Sequence, residues 1–386
     1  MKNRNHGRTG KMKIRSKEKA LIIGIYAAVI LILAGAVLFY QKVERTPLVP
    51  DDGTEFARAV VLEVTSEEPA REGIDAGNQQ LRLKITSGNH KGEIVEGSSM
   101  NGYLYGAYCE EGTKVIVRLS EYDGSVAASV YNYDRELPIL LIVVFFLAMM
   151  WLVGGKRGIH SITALVFTFV LILALYIPLM YIGCSPFLAA VFCVALITSL
   201  SILLIGGITR KSLCAIIGTV AGVVAAGVIA LIFGKAAHIS GNNVENIETL
   251  VYIGQNTKLN ISEMLFSGIL ISSLGAVMDV AMSVSSALTE ISEKSPGISR
   301  KELFGSGMQI GRDMIGTMSN TLILAYVGSS INTLMIIYAY QYSAHQIFGM
   351  YSIGIEIMQS LSGTLGIILT VPFVSAVSAY AMHKKK

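Results

Sequence analysis

Asp279 lies in the middle of an apolar run long enough to cross a membrane, within Ser272-Ser-Leu-Gly-Ala-Val-Met-Asp279-Val-Ala-Met-Ser283-Val-Ser-Ser286-Ala-Leu-Thr-Glu290. A carboxylate at the centre of a membrane helix costs about 2.5–3.5 kcal/mol on insertion scales, so such residues mark pathways, proton relays or paired sites. Asp279, Ser283, Ser286 and Glu290 are spaced i, i+4, i+7, i+11 and fall on one stripe of a helix. A second set, Asp313, Thr317 and Asn320, repeats the i, i+4, i+7 spacing. With a turn between them the two segments form an antiparallel hairpin. At about 1.5 Å per residue, Asp279 lies roughly 16 Å from Glu290 along the axis, and Asn320 roughly 10 Å from Asp313. The two polar stripes therefore reach similar depth, and a water-filled or ion-binding seam between them is the expected chemistry. The structural alternative is a hydrogen-bonded packing role for Asp279, and an Asn320 bond across helices at roughly 1 kcal/mol. Glu356 is the other misplaced charge. An outer amphipathic or re-entrant helix ending near Gly363 would put it at an outer mouth, as a gate, an ion ligand or a solvated interfacial carboxylate.

Other chemistries find little support. The chain carries no H-E-x-x-H, and no G-x-S-x-G or Ser-Lys dyad stands out. The residues flanking Asp279 and Asp313 fit an aspartyl-protease pair poorly, so no enzyme activity is expected. Gly305, Gly307 and Gly311 mimic a phosphate loop, but no Lys-Ser/Thr and no preceding strand accompany them. Gly307-x-x-x-Gly311 and Gly218-x-x-x-Gly222 read instead as close helix packing. Cys109, Cys184, Cys193 and Cys214 form no C-x-x-C pair, so neither a metal nor a cofactor is expected. Cys184 is the only plausible disulfide partner for Cys109.

The elements that position these residues are set by composition. The chain has 386 residues, 52% hydrophobic and 15% charged, with mean hydropathy +0.57. Soluble domains carry about 25% charged residues. Eight segments approach the roughly 20 residues needed to span a bilayer: 21–40, 138–153, 160–182, 186–206, 213–234, 262–288, 314–339 and 360–382. The first 20 residues hold eight basic ones. Placing that end in the cytoplasm puts every Lys and Arg outside the insert 41–137 on the cytoplasmic side, except Lys235 and Lys258. The positive-inside rule thus predicts an N-in, C-in protein with eight spans, embedded in a lipid bilayer. Ala34-Gly35-Ala36 offers a signal-peptidase-like site, but the apolar run continues to Tyr40, which favours an uncleaved anchor. Between spans six and seven, Pro296-Gly297 stops one helix, and Ser299 with Glu302 forms a capping box that starts the next.

Residues 41–137 change character, with 17 acidic and 10 basic residues. Val60/Leu62/Val64, Leu81/Leu83/Ile85, Ile94-Val95, Val115/Val117/Leu119 and Ala128/Val130 read as five short antiparallel strands punctuated by Gly, Asn, Asp and Ser. A small extracytoplasmic β-barrel of the OB or SH3-like size class is expected between the first two helices. Tyr103, Tyr105, Tyr108, Tyr122, Tyr131 and Tyr133 offer a binding platform or, more blandly, favoured strand residues. Its acidic surface excludes nucleic acid.

The runs Gly275–Leu288, Gly311–Tyr326 and Glu356–Gly366 with Val371-Pro372, in this order, resemble the YibE/F family of bacterial membrane proteins over residues 138–382. The resemblance implies a seven-helix membrane domain at 138–386, after a basic tail (1–20), an anchor helix (21–40) and the outer domain. It also implies a paired assembly, with a second copy or with a shorter relative. It supplies no substrate. The expected function is ion or solute transport in the bacterial plasma membrane, with a polar seam centred on Asp279. The rival is a non-transporting scaffold or sensor whose outer domain binds an envelope partner.

Overall fold

In the computed structural model the segment around Asp279 forms the helix α7 (Met264–Lys294). Its apolar positions recur at helical spacing, and Leu265, Ile269, Leu270, Leu274, Val277, Val280, Ala281, Val284 and Leu288 are buried. The structure describes residues 5–45, 48, 54–69, 77–101, 106–122 and 125–382. In the first helix its side chains are described from Gly24 onward. Lys2, Arg4, Lys384, Lys385, Lys386, Tyr103 and Tyr105 lie outside the described residues, as does the side chain of Tyr122.

The chain divides into two units, 47–150 and the remainder. In the first unit, β1 (Thr54–Pro69), β2 (Gly77–Ile85), β3 (Ile94–Asn101), β4 (Lys114–Tyr122) and β5 (Ser125–Tyr133) close a barrel in the order β1-β2-β3-β5-β4. Four of the five pairings are antiparallel, as expected. The fifth, β3 with β5, is parallel at Gly97–Ala128 and Ser98–Ser129, the closure typical of the OB arrangement. Gly97 permits it, because a Cβ there would lie 2.6 Å from the Ala128 carbonyl oxygen.

The inward residues of β2 and β4 are those the alternation picks out. On β1 the parity differs. Ala57, Ala59 and Val61 are buried rather than Val60 and Leu62, and bulges between Val61 and Glu63 and between Val64 and Ser66 shift the register. A bulge adds one residue to a strand and so swaps its faces. Val64, beyond the first bulge, again packs on the core. Buried Gln79 satisfies the backbone of Cys109 twice, accepting from its N–H (2.8 Å) and donating to its carbonyl (3.1 Å). All four cysteines are free thiols.

The second unit is helical. It holds α1 (Asn5–Lys42), most of α2 (Glu136–Leu171), a π-helical turn at Ile172–Tyr176, α3 (Ile177–Tyr181), α4 (Pro186–Gly206) and α5 (Arg210–Ala236). The short α6 (Ile247–Asn256) precedes α7, then α8 (Arg300–Ser329), α9 (Ile331–Ala339), α10 (Ala344–Gly349) and α11 (Tyr351–Met382). Among the described residues six helices are long and apolar enough to cross a membrane, or seven if the bent pair α8–α9 is one span. Glu136–Tyr181 counts once there, yet it contains two expected segments, 138–153 and 160–182, on either side of Gly155, whose φ of 54° and ψ of −130° break the helix. All eight expected segments fall in helix to within a residue or two.

Two boundaries differ from the expectation. The seventh segment starts at Arg300, not near 314, because the Ser299–Glu302 capping box (2.9 and 3.2 Å) starts the helix before its apolar part begins. It then bends by 61° at Ser330. The last helix runs unbroken from Tyr351 through Gly363 and Gly366, so no re-entrant break occurs there. Those glycines serve packing: a Cβ at Gly366 would lie 2.7 Å from Ala226 Cβ on α5. Gly218 likewise faces Val374 Cβ at 2.8 Å, Gly222 faces Thr370, Gly307 faces Leu288 and Ser375, and Gly311 faces Val371. Where the surroundings are as apolar as the side chains, close backbone approach of this kind is what holds helices together.

Candidate functional site

Exposed positions on α7 follow one line: Gly268, Ser272, Gly275, Asp279, Ser283 and Glu290, with Ser286 half-buried beside it. The polar stripe read from the sequence is therefore the face that α7 leaves uncovered within this chain. On α8 the exposed positions between 305 and 321 are Gly305, Gln309, Arg312, Asp313, Gly316, Thr317, Asn320 and Thr321. The two lines belong to adjacent antiparallel helices. Ser272 Oγ and Tyr326 OH are 2.7 Å apart, and a Cβ on Gly307 would lie 2.9 Å from Leu288 Cδ1. Counting along both helices from these two contacts puts Asp279 level with residues 316–319 of α8, next to Thr317 and Asn320.

The stripes are at matching depth, but they lie side by side on an open surface rather than sealed between α7 and α8. The helical spacing fixes a shared face. The direction of that face is set by α4, α5 and α11, which claim the apolar side of α7. Among the described residues, the side chains of Asp279, Ser283, Ser286, Asp313 and Asn320 make no hydrogen bond or ion pair. Thr317 Oγ1 donates to the Met314 carbonyl (3.1 Å). Glu290, at the hairpin end, is paired with Lys294 at 2.6 Å, and that bond holds its carboxyl below the usual carboxylate range.

At the hairpin end the α7 stripe runs into a cavity of about 580 Å³ between the start of α5 and the ends of α7 and α11. Ser286, Thr289, Glu290 and Glu293 line it from α7, and Arg210 and Lys211 from α5. Hydrogen bonds brace its walls. Ser285 Oγ donates to the Lys211 carbonyl (2.8 Å), and Ser292 Oγ donates to that of Met382 (3.1 Å). Sequence spacing gave no signal for Arg210 and Lys211, which come from a distant helix start.

At the far end, Tyr326 joins the stripe through Ser272. Glu356 is half-buried near the start of α11, and its Oε2 is buried with no hydrogen-bond partner among the described residues. Gly363, two turns further along α11, is approached by Leu322 and Ser273. Glu356 thus lies about 10 Å beyond Ser273 toward the far end. Ser272 extends the i, i+4, i+7 spacing by two turns ahead of Asp279, a signal present in the sequence. Its bond to Tyr326 was not readable there. Among the described residues no group of three or more His, Cys, Asp or Glu side chains converges.

A bundle of long apolar helices with a polar line along one of them is compatible with a multi-pass membrane protein. A family profile described as YibE/F-like protein matches residues 142–384, and the chain belongs to that family. No curated protein and no solved structure matches it.

Proposed function

We propose that this is an ion- or solute-transport protein of the bacterial plasma membrane whose pathway follows the α7–α8 polar line. In this reading the helices make eight spans with both termini in the cytoplasm, following the distribution of Lys and Arg. The barrel stands outside as a lid or docking module. Glu356, Tyr326 and Ser272 form the outer mouth, and Asp279 is the central site with Ser283, Asp313, Thr317 and Asn320. The cavity bounded by Ser286, Glu290, Arg210 and Lys211 is the cytoplasmic vestibule.

One observation carries the reading: the polar line is continuous from the Tyr326–Ser272 bond, through Asp279, to a cavity lined by charged and hydroxyl side chains. A lone packing aspartate would need no such continuation on both sides. The test is flux into proteoliposomes for wild type and Asp279→Asn, scanned over ions and pH. Loss of flux in a folded variant is expected, and full activity would overturn the proposal.

A scaffold or sensor role has one observation of its own. Phe56 and Tyr131, 56% and 52% exposed, meet edge to face at 5.4 Å on the barrel surface, as a docking surface for an envelope partner would require. Deleting residues 45–135 abolishes that role, whereas Asp279→Asn leaves it intact.

A further inference from the structure

Every long apolar helix of this chain but one exposes large apolar side chains to its surroundings. On α4 these include Leu188, Phe192 and Ile205, and on α5 Leu213, Ile217, Ile232 and Phe233. Such faces suit lipid. The exception is α7, which exposes no large apolar residue among those described, only Gly, Ser, Asp, Glu and Lys. The neighbouring stretch of α8 between Gly305 and Thr321 is the same in kind. Hydrocarbon cannot satisfy a carboxylate, an amide and several hydroxyls, and leaving each one bare costs free energy.

We infer that this α7–α8 face is the interface with a second copy of the same chain, and that the second copy closes the open side of the polar line. Two features favour a copy of itself as the occupant. The first is complementarity at equal depth. The carboxylate of Asp279 on α7 lies within about a residue of the level of Asn320 on α8, whose amide is a donor that makes no hydrogen bond among the described residues. A two-fold axis along the membrane normal keeps depth unchanged, so α7 of one copy meets α8 of the other with acceptor opposite donor. The second is clearance. Cβ atoms built on Gly268, Gly275, Gly305 and Gly316 meet nothing within 4 Å. These glycines pack against nothing in their own chain, unlike Gly218, Gly222, Gly307 and Gly311, and they leave room for a foreign helix to approach closely.

The inference rests on α7 and α8 spanning the membrane, as in the proposed function, but not on anything moving between them. Its test is the mass of the full chain in mild detergent and in lipid nanodiscs, by light scattering or mass photometry. Wild type is expected at twice the 41.5 kDa of one chain. The double variant Gly275→Leu/Gly316→Leu puts bulk into space that is open within its own chain, so its fold is retained while the two-chain species is lost. A wild type that is a single chain in both media overturns the inference. So does a double variant that stays two-chain, or a wild type that pairs only with a shorter family member. The transport reading is judged separately by Asp279→Asn: loss of flux with the two-chain mass intact supports it, and a single-chain wild type that still transports overturns only the interface.

Discussion

Gly311 and Gly275 lie on adjacent helices and differ in one respect, which allows a matched comparison. A methyl group on Gly311 enters the side chain of Val371, with Val371 Cγ2 at 2.7 Å and Cβ at 2.9 Å from it. Val371 Cγ1 is closer still, and ordinary carbon contacts lie near 3.5–4.0 Å, so α8 and α11 have to separate by more than about an ångström. Overpacking of this kind costs about 1–3 kcal/mol. The better helix propensity of alanine returns up to about 1 kcal/mol, leaving Gly311→Ala destabilised by about 0–2 kcal/mol. The same methyl at Gly275 meets nothing within 4 Å. In the dissociated single chain, where no partner helix covers Gly275, Gly275→Ala therefore keeps the propensity gain, and the two variants compared in that form differ by about 1–3 kcal/mol. Cys193 and Cys214 are buried at 0% and 1% exposure, so the unfolding of the helical unit can be followed with a thiol-reactive fluorophore during heating. Gly311→Ala should melt below Gly275→Ala, and Val371→Ala added to Gly311→Ala should recover part of the loss. Equal melting of the two single variants would refute the packing of α8 on α11 described above.

Two further outcomes follow from the barrel and the hairpin turn. Burial pushes the Cys109 thiol up to about 11, while Cys184 is exposed. A maleimide at pH 8 should therefore label Cys184 quickly and Cys109 only after unfolding, as peptide mass mapping would reveal. Ser299→Ala should destabilise the start of α8 by about 1 kcal/mol through loss of the cap. The hydrogen bonds with Ser299 hold the Glu302 carboxyl below its usual range. That contribution is present above the ordinary carboxylate pKa and lost as pH falls through the lowered one. The difference in melting between Ser299→Ala and wild type should accordingly shrink on acidification.

The polar residues of α7 were legible because an i, i+4, i+7 pattern of Ser and Asp stands out in an apolar run. The pattern fixed a common face, but it could not say whether that face turned toward α8 or away from the bundle, because α4, α5 and α11 decide that. The barrel was legible from the alternation of Leu81, Leu83 and Ile85 and of Val115, Val117 and Leu119. On β1 the inward positions are odd up to Val61 and even at Val64, because a bulge between them, invisible in the residue types, swaps the faces. Gly363 and Gly366 were ambiguous for a physical reason: glycine serves equally to break a helix and to let two helices touch, and here Ala226 and Leu322 settle it as contact. Arg210 and Lys211 reach the cavity at the hairpin end from more than seventy residues away in sequence, a pairing that no local pattern encodes.

The central claim is that Asp279 lies on a conducted path, not in a packing contact. Flux into proteoliposomes of wild type and Asp279→Asn, at matched incorporation and matched melting temperature, tests it most directly. The account predicts gradient-driven flux of at least one ion or small solute in wild type and its loss in Asp279→Asn. Wild-type flux in Asp279→Asn would contradict it and leave the carboxylate a structural role.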